Sequence, residues 1–131
     1  MKAWLDGALV DPAAPGLALD DHGVTTGDGC FETLKVLRGV PFALTRHLRR
    51  LRRSCDGLGL AAPADGALRE ACEAVVGASG GDEVGRLRIT VTAGRAPLGS
   101  GRGDVVPTVA VLAGPPARWE PTTAVAVCPW V

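Results

Sequence analysis

Gly27-Asp28-Gly29-Cys30-Phe31-Glu32-Thr33-Leu34-Lys35-Val36-Leu37-Arg38-Gly39-Val40-Pro41-Phe42-Ala43-Leu44-Thr45-Arg46-His47-Leu48-Arg49-Arg50 is the stretch from which the fold can be read. A Gly-Asp-Gly turn opens into a strand over Cys30 to Leu37. Arg38-Gly39 forms a tight turn, Val40 to Leu44 a short return strand, and an arginine-dense helix begins at Arg46. Side chains alternate across a strand, so Cys30, Glu32, Leu34 and Val36 share one face and Phe31, Thr33, Lys35 and Leu37 the other. The first face is apolar except for Glu32. The second presents a ring, a hydroxyl and an ammonium group in register.

Working outward, Lys2 to Leu5 and Ala8 to Val10 flank Asp6-Gly7, a strong hairpin signal. Residues 11 to 29 are loop-rich, with a short strand expected near Leu17-Ala18-Leu19. Thr45 stands where it can cap a helix running from Arg46 to about Gly57. That helix carries an apolar stripe of Leu48, Leu51, Cys55 and Leu58 opposite Arg46, Arg50 and Arg53. A second helix is expected after Asp65, with Leu68, Ala71, Cys72, Val75 and Val76 at helical spacing and glycines 77, 80 and 81 closing it. Leu87, Ile89 and Val91 alternate with Arg88, Thr90 and Thr92. A glycine-rich loop (Gly94 to Gly103) then leads to a strand over Val106 to Leu112. Paired strands with two consecutive helices make an α+β fold, a mostly antiparallel sheet with two helices packed on it.

At 131 residues the chain can bury a real core, and 47% hydrophobic with 21% charged residues is globular. Fourteen basic residues balance fourteen acidic ones, which gives no electrostatic case for nucleic acid or an anionic membrane. No apolar run approaches the roughly 20 residues of a membrane helix. The four cysteines (30, 55, 72 and 128) have no metal-type spacing to each other or to His22 and His47, so no metal site is expected. Unpaired cysteines on helix faces fit a reducing, cytoplasmic setting.

A strand face bearing Phe31, Thr33 and Lys35 beside an arginine-rich helix suits a phosphorylated cofactor and an anionic substrate. The residues alone leave two plainer readings open. Thr33 and Lys35 also fit an ordinary solvated strand face, and the helix arginines an ordinary solvated surface.

The block Gly27 to Val36, followed by His47-Leu48-Arg49-Arg50-Leu51, resembles the class IV (fold-type IV) pyridoxal-phosphate enzymes. These include 4-amino-4-deoxychorismate lyases and the branched-chain and D-amino-acid aminotransferases. The resemblance extends over essentially the whole chain. It implies that residues 1–113 form the family's small N-terminal domain, 114–121 a linker, and 122–131 the first strand of a C-terminal cofactor-binding domain. It implies pyridoxal 5'-phosphate as cofactor, with Arg50, three residues after the helix histidine, on its phosphate. Phe31, Thr33 and Lys35 would line the substrate pocket, and Arg95, or alternatively Arg102, would meet a substrate carboxylate. A homodimer acting on a small amino or carboxylate substrate follows from the same resemblance.

The chain has two lysines, Lys2 and Lys35, and neither matches the position of the lysine that holds the cofactor aldehyde. The resemblance implies that this lysine lies beyond Val131, so the 131 residues alone are expected to be inactive. The apolar ending at Cys128-Pro129-Trp130-Val131 reads as the front part of a longer protein. Phe31 in place of the tyrosine usual in D-amino-acid aminotransferases, and no Arg-x-His pattern near Arg95, favour the lyase reading. An aminotransferase, or a non-catalytic stand-alone module, are the alternatives.

Overall fold

Two-residue turns with a glycine in second place set two of the strand pairings. The computed structural model describes residues 1–14, 16–118 and 120–128. Strand β1 (Ala3–Leu5) turns through Asp6 and Gly7, at φ 43° and 105°, into β2 (Ala8–Val10). Strand β3 (Gly29–Leu37) turns through Arg38 and Gly39, at φ 51° and 71°, into the two-residue β4 (Val40–Pro41). Positive φ at both corner residues matches the right-handed strand twist, and the second corner favours glycine.

Strands β5 (Arg86–Thr92) and β6 (Thr108–Gly114) complete a six-stranded antiparallel sheet in the order β2-β1-β6-β5-β3-β4. Helices α2 (Leu44–Leu58) and α3 (Asp65–Ala78) cover one face of it. A single helical turn, α1 (His22–Thr25), precedes β3. Leu34, Val36, Leu87, Ile89, Val91, Val111 and Ala113 from the sheet pack against Leu48, Leu51, Cys55, Leu68, Cys72 and Val75 from the helices. The sheet's other face is open. Phe31, Thr33, Lys35, Leu37, Arg86, Arg88 and Leu112 are exposed there.

β4 pairs with Val36 and Leu37, and the Phe42 amide donates to the Lys35 carbonyl, so among the described residues β3 upstream of Lys35 has no strand partner on that side. Both faces of β3 can therefore be reached from one side, by groups on α2 and by groups on the open face.

Two expectations are corrected. α2 starts before Thr45, because the amide of Phe42 is held by the Lys35 carbonyl and the chain enters the helix through Ala43 at φ 53°. The Ala43 carbonyl accepts the first helical bonds, from Arg46 and His47. Thr45 instead takes a hydrogen bond from Arg69 at 2.8 Å. No strand forms at Leu17-Ala18-Leu19, since the Ala18 carbonyl closes a turn to the amide of Asp21. Residues 122–128 of the expected strand over 122–131 carry no regular structure. The rest of that expected strand, 129–131, lies outside the described residues.

Candidate functional site

Glu32 is the one charged residue on the helix-facing side of β3, and it is 5% exposed. A carboxylate buried among leucines needs partners. His47 and Arg50 supply them: three residues apart, they lie on one face of α2. Arg50 Nε donates to Oε1 at 2.9 Å and Nη2 to Oε2 at 2.7 Å, a two-pronged pairing. His47 Nδ1 lies 2.7 Å from Oε2. Burial pushes the Glu32 carboxyl up, but the hydrogen bonds and charges of Arg50 and His47 outweigh it. The acid is held below its ordinary value of 4.5. An ionised carboxylate only accepts, so the proton of this contact resides on His47 Nδ1.

Arg50 spends two of its five N–H groups on Glu32, and its side chain is 60% exposed. Three donors on a fixed plane therefore face outward at the β3 edge. Glu32 also raises the Arg50 pKa, first by hydrogen bonding and then by charge, which keeps the guanidinium charged. Arg46 and Arg53 are exposed and make no ion pair among the described residues, so only one of the three expected helix arginines is organised.

On the open side, Phe31, Thr33 and Lys35 stand together as the alternation predicts. Thr33 and Lys35 line a groove of about 750 Å³ with Arg86, Asp82 and Pro116. The Arg88 guanidinium lies 3.6 Å from the Phe31 ring centroid, a cation–π stack.

The two candidate carboxylate arginines are each paired with an aspartate. Arg95 grips Asp20 through Nε and Nη2, both at 2.8 Å, and is 71% exposed. It does not line the groove with Phe31's neighbours. Arg102 donates through Nε and Nη2 to Asp28 and through Nη1 to the carbonyls of Leu58 and Gly59 at the end of α2. Those bonds pin the glycine-rich loop to the helix. The Arg102 hydrogen bond holds the Asp28 carboxyl below its ordinary range, against the smaller effect of burial.

A second buried network was not legible in the sequence. Asp21 is fully buried and accepts from the Gly23 amide at 2.7 Å, Thr92 Oγ1 at 2.9 Å and Thr108 Oγ1 at 2.8 Å. His22 beside it is 1% exposed, with Nε2 2.9 Å from the Pro97 carbonyl oxygen and Nδ1 3.8 Å from Asp28. Together they fix the approach to β3. Cys55 and Cys72 are core residues whose thiols burial pushes up to about 12, so they remain protonated. Among the described residues no cluster of three or more His, Cys, Asp or Glu could hold a metal, and no helix is long and apolar enough to cross a membrane.

Comparison with known proteins gives a consistent frame. A family model described as amino-transferase class IV matches residues 29–131. A bifunctional aminodeoxychorismate lyase / D-amino acid transaminase of Mycobacterium tuberculosis is 37% identical over 122 residues, 90% of this chain and 40% of that protein. Among solved structures, 4-amino-4-deoxychorismate lyase from Pseudomonas aeruginosa superposes with TM-score 0.75 at 34% identity, over 90% of this chain and 41% of that one. A hypothetical aminotransferase from M. tuberculosis in a PLP-bound form gives TM-score 0.74 at 31% identity, over 88% and 39%. This chain thus spans about 40% of the length of these relatives.

Proposed function

The chain belongs to the class IV amino-transferase family, and from that premise we propose that it forms the phosphate-side wall of a pyridoxal 5'-phosphate site in an aminodeoxychorismate lyase. The observation that carries the proposal is the Glu32–His47–Arg50 cluster. A planar cation, locked in orientation by a buried carboxylate, presents its unused donors at an accessible strand edge. Those donors fit a phosphate group, whose oxygens accept several N–H bonds at once. Glu32 fixes the plane and holds the charge; His47 steadies Glu32 from its other side.

When bound, the cofactor supplies the electron sink that makes a substrate α-proton labile. The chain's own residues bind and orient. Arg50 holds the phosphate, Phe31 closes the open-face wall, and Thr33 and Lys35 contact the substrate. Lys35 faces the open side of the sheet, away from the face that holds Glu32, and Lys2 precedes β1. The proposal therefore assigns the covalent lysine to the part of the polypeptide that the longer relatives have and this chain does not span. Arg95 Nη1 has no partner among the described residues, so Arg95 stays in the proposal as a loop contact to substrate, whereas Arg102 would have to abandon several acceptors. A cytoplasmic homodimer belongs to the same reading and rests on the resemblance.

Elimination of pyruvate from aminodeoxychorismate, leaving 4-aminobenzoate for folate synthesis, is the reaction proposed. Support comes from likeness to a lyase and to a lyase-containing bifunctional protein along nine-tenths of the chain. The second name of that bifunctional relative favours D-amino-acid transamination as a second activity. The test is an assay of full-length protein loaded with pyridoxal phosphate. Release of 4-aminobenzoate is expected. Amino transfer from a panel of D- and L-amino acids without any 4-aminobenzoate would replace the lyase reading with an aminotransferase.

A further inference from the structure

Lys35 and Arg86 are directly opposed across β3 and β5, and Arg88 opposes Thr33 one pleat further along the same face. Like charges facing each other across a sheet destabilise it. None of these three cations forms an ion pair among the described residues, while Arg50, Arg52, Arg95 and Arg102 all do. Asp82 is the one carboxylate lining the groove at the Lys35 end, and Arg38 lines it too. The adjoining hollow, about 400 Å³ between Thr33, Arg86, Arg88, Leu112, Ala113 and Gly114, has no acidic lining at all. In a chain of zero formal net charge this is a local concentration of cations.

Arg88 is also pre-set. Its guanidinium rests on the Phe31 ring and its Nε donates to Thr90 Oγ1 at 3.4 Å. Among the described residues neither terminal nitrogen has a hydrogen-bond partner, which leaves both for a two-pronged carboxylate bond. Residues two apart on a strand are separated by roughly 6.6–6.8 Å. The Lys35–Arg86 pair is thus offset from Arg88 by one such step.

We propose that this face is a two-point anion subsite that recognises a dicarboxylate. Arg88 takes one carboxylate through its planar fork, and the Lys35–Arg86 pair takes a second about 6–7 Å away. The two anions offset the repulsion between the facing cations. The inference rests on the reading of this face as a substrate wall and names the substrate class. Aminodeoxychorismate carries two carboxylates, as does a dicarboxylic amino or oxo acid; alanine-like substrates carry one.

The experiment is isothermal titration of full-length protein with glutarate and with butyrate, using wild type, Arg88→Leu, Arg88→Lys and Arg86→Leu. Wild type is expected to bind glutarate roughly ten-fold or more tighter than butyrate, the scale of one charge-assisted bond. Arg86→Leu should abolish that preference while leaving butyrate affinity unchanged. Arg88→Leu should weaken both ligands, and Arg88→Lys, which keeps charge without the fork, should fall between. Equal affinities in wild type, or a preference untouched by Arg86→Leu and Arg88→Lys, would overturn the proposal. Activity separates it from the lyase reading. A glutarate preference without 4-aminobenzoate release leaves the subsite standing and removes the lyase; release without the preference removes only the subsite. In the active enzyme, a raised KM in Arg86→Leu for aminodeoxychorismate, or for a dicarboxylic 2-oxo acid, identifies which source supplies the two carboxylates.

Discussion

Replacing Glu32 by glutamine changes one atom and tests whether Arg50 is held or merely present. The carboxylate accepts three short contacts, two from Arg50 and one from His47. A glutamine in the same place has one oxygen to accept and an NH2 group that must face at least one donor. Bonds to a charged acceptor are worth about 1.5–3 kcal/mol each, and the exposure of Arg50 calls for a discount. A loss of about 1–3 kcal/mol at pH 7 is the expected outcome, measured by urea denaturation of the full-length protein. The pH dependence has a definite sign. The folded pKa of Glu32 lies below its ordinary 4.5, so its stabilisation is present above that value and lost as pH falls through the folded pKa. The gap between wild type and Glu32→Gln should be full at pH 7 and close as the pH drops below about 4.5. A variant within about 0.5 kcal/mol of wild type at pH 7, the range of an ordinary surface change, would refute the reasoning. So would a gap that persists unchanged into acid.

Other consequences follow from the packing. Arg102→Ala should speed amide hydrogen exchange across residues 94–103 and at the end of α2, because Asp28, Leu58 and Gly59 lose the same partner. Unchanged protection there would mean the loop is held by other contacts. Leu51→Ala, at 1% exposure in α2, should cost about 2–5 kcal/mol, whereas Leu19→Ala, at 87% exposure, should stay within about 0.5 kcal/mol. Similar losses in urea melts would mean the core is misplaced. Cys55 and Cys72 should resist a thiol reagent at pH 8 in the native protein and react on denaturation, since burial keeps them protonated. Rapid native labelling of either would contradict their placement.

Local signals made most of the sheet legible. Alternation along β3 separates Glu32, Leu34 and Val36 from Phe31, Thr33 and Lys35, and the burial pattern follows it residue by residue. Asp6-Gly7 and Arg38-Gly39 announce their hairpins because positive φ is a local demand. Thr45 misled because a cap depends on how the preceding strand hands over to the helix, and here a left-handed Ala43 does so. In the site, the apolar strand face with a single carboxylate was visible, and so was the His47–Arg50 spacing. Their meeting was a tertiary fact. The same holds for Asp21, whose hydroxyl partners lie 71 and 87 residues away, and for Arg102, 74 residues from Asp28. No window of sequence contains such pairs. Arg88 was visible as a polar position on an alternating strand, but only the β3–β5 register brings it over Phe31 and sets Arg86 against Lys35.

The central claim is that Arg50 grips the phosphate of a bound pyridoxal phosphate, and equilibrium dialysis of that cofactor against the full-length protein tests it most directly. Wild type should retain the cofactor, Arg50→Ala should bind it roughly ten-fold or more weakly, and Arg50→Lys should recover part of the loss. Equal retention by wild type and Arg50→Ala, or no retention by wild type, would contradict the account.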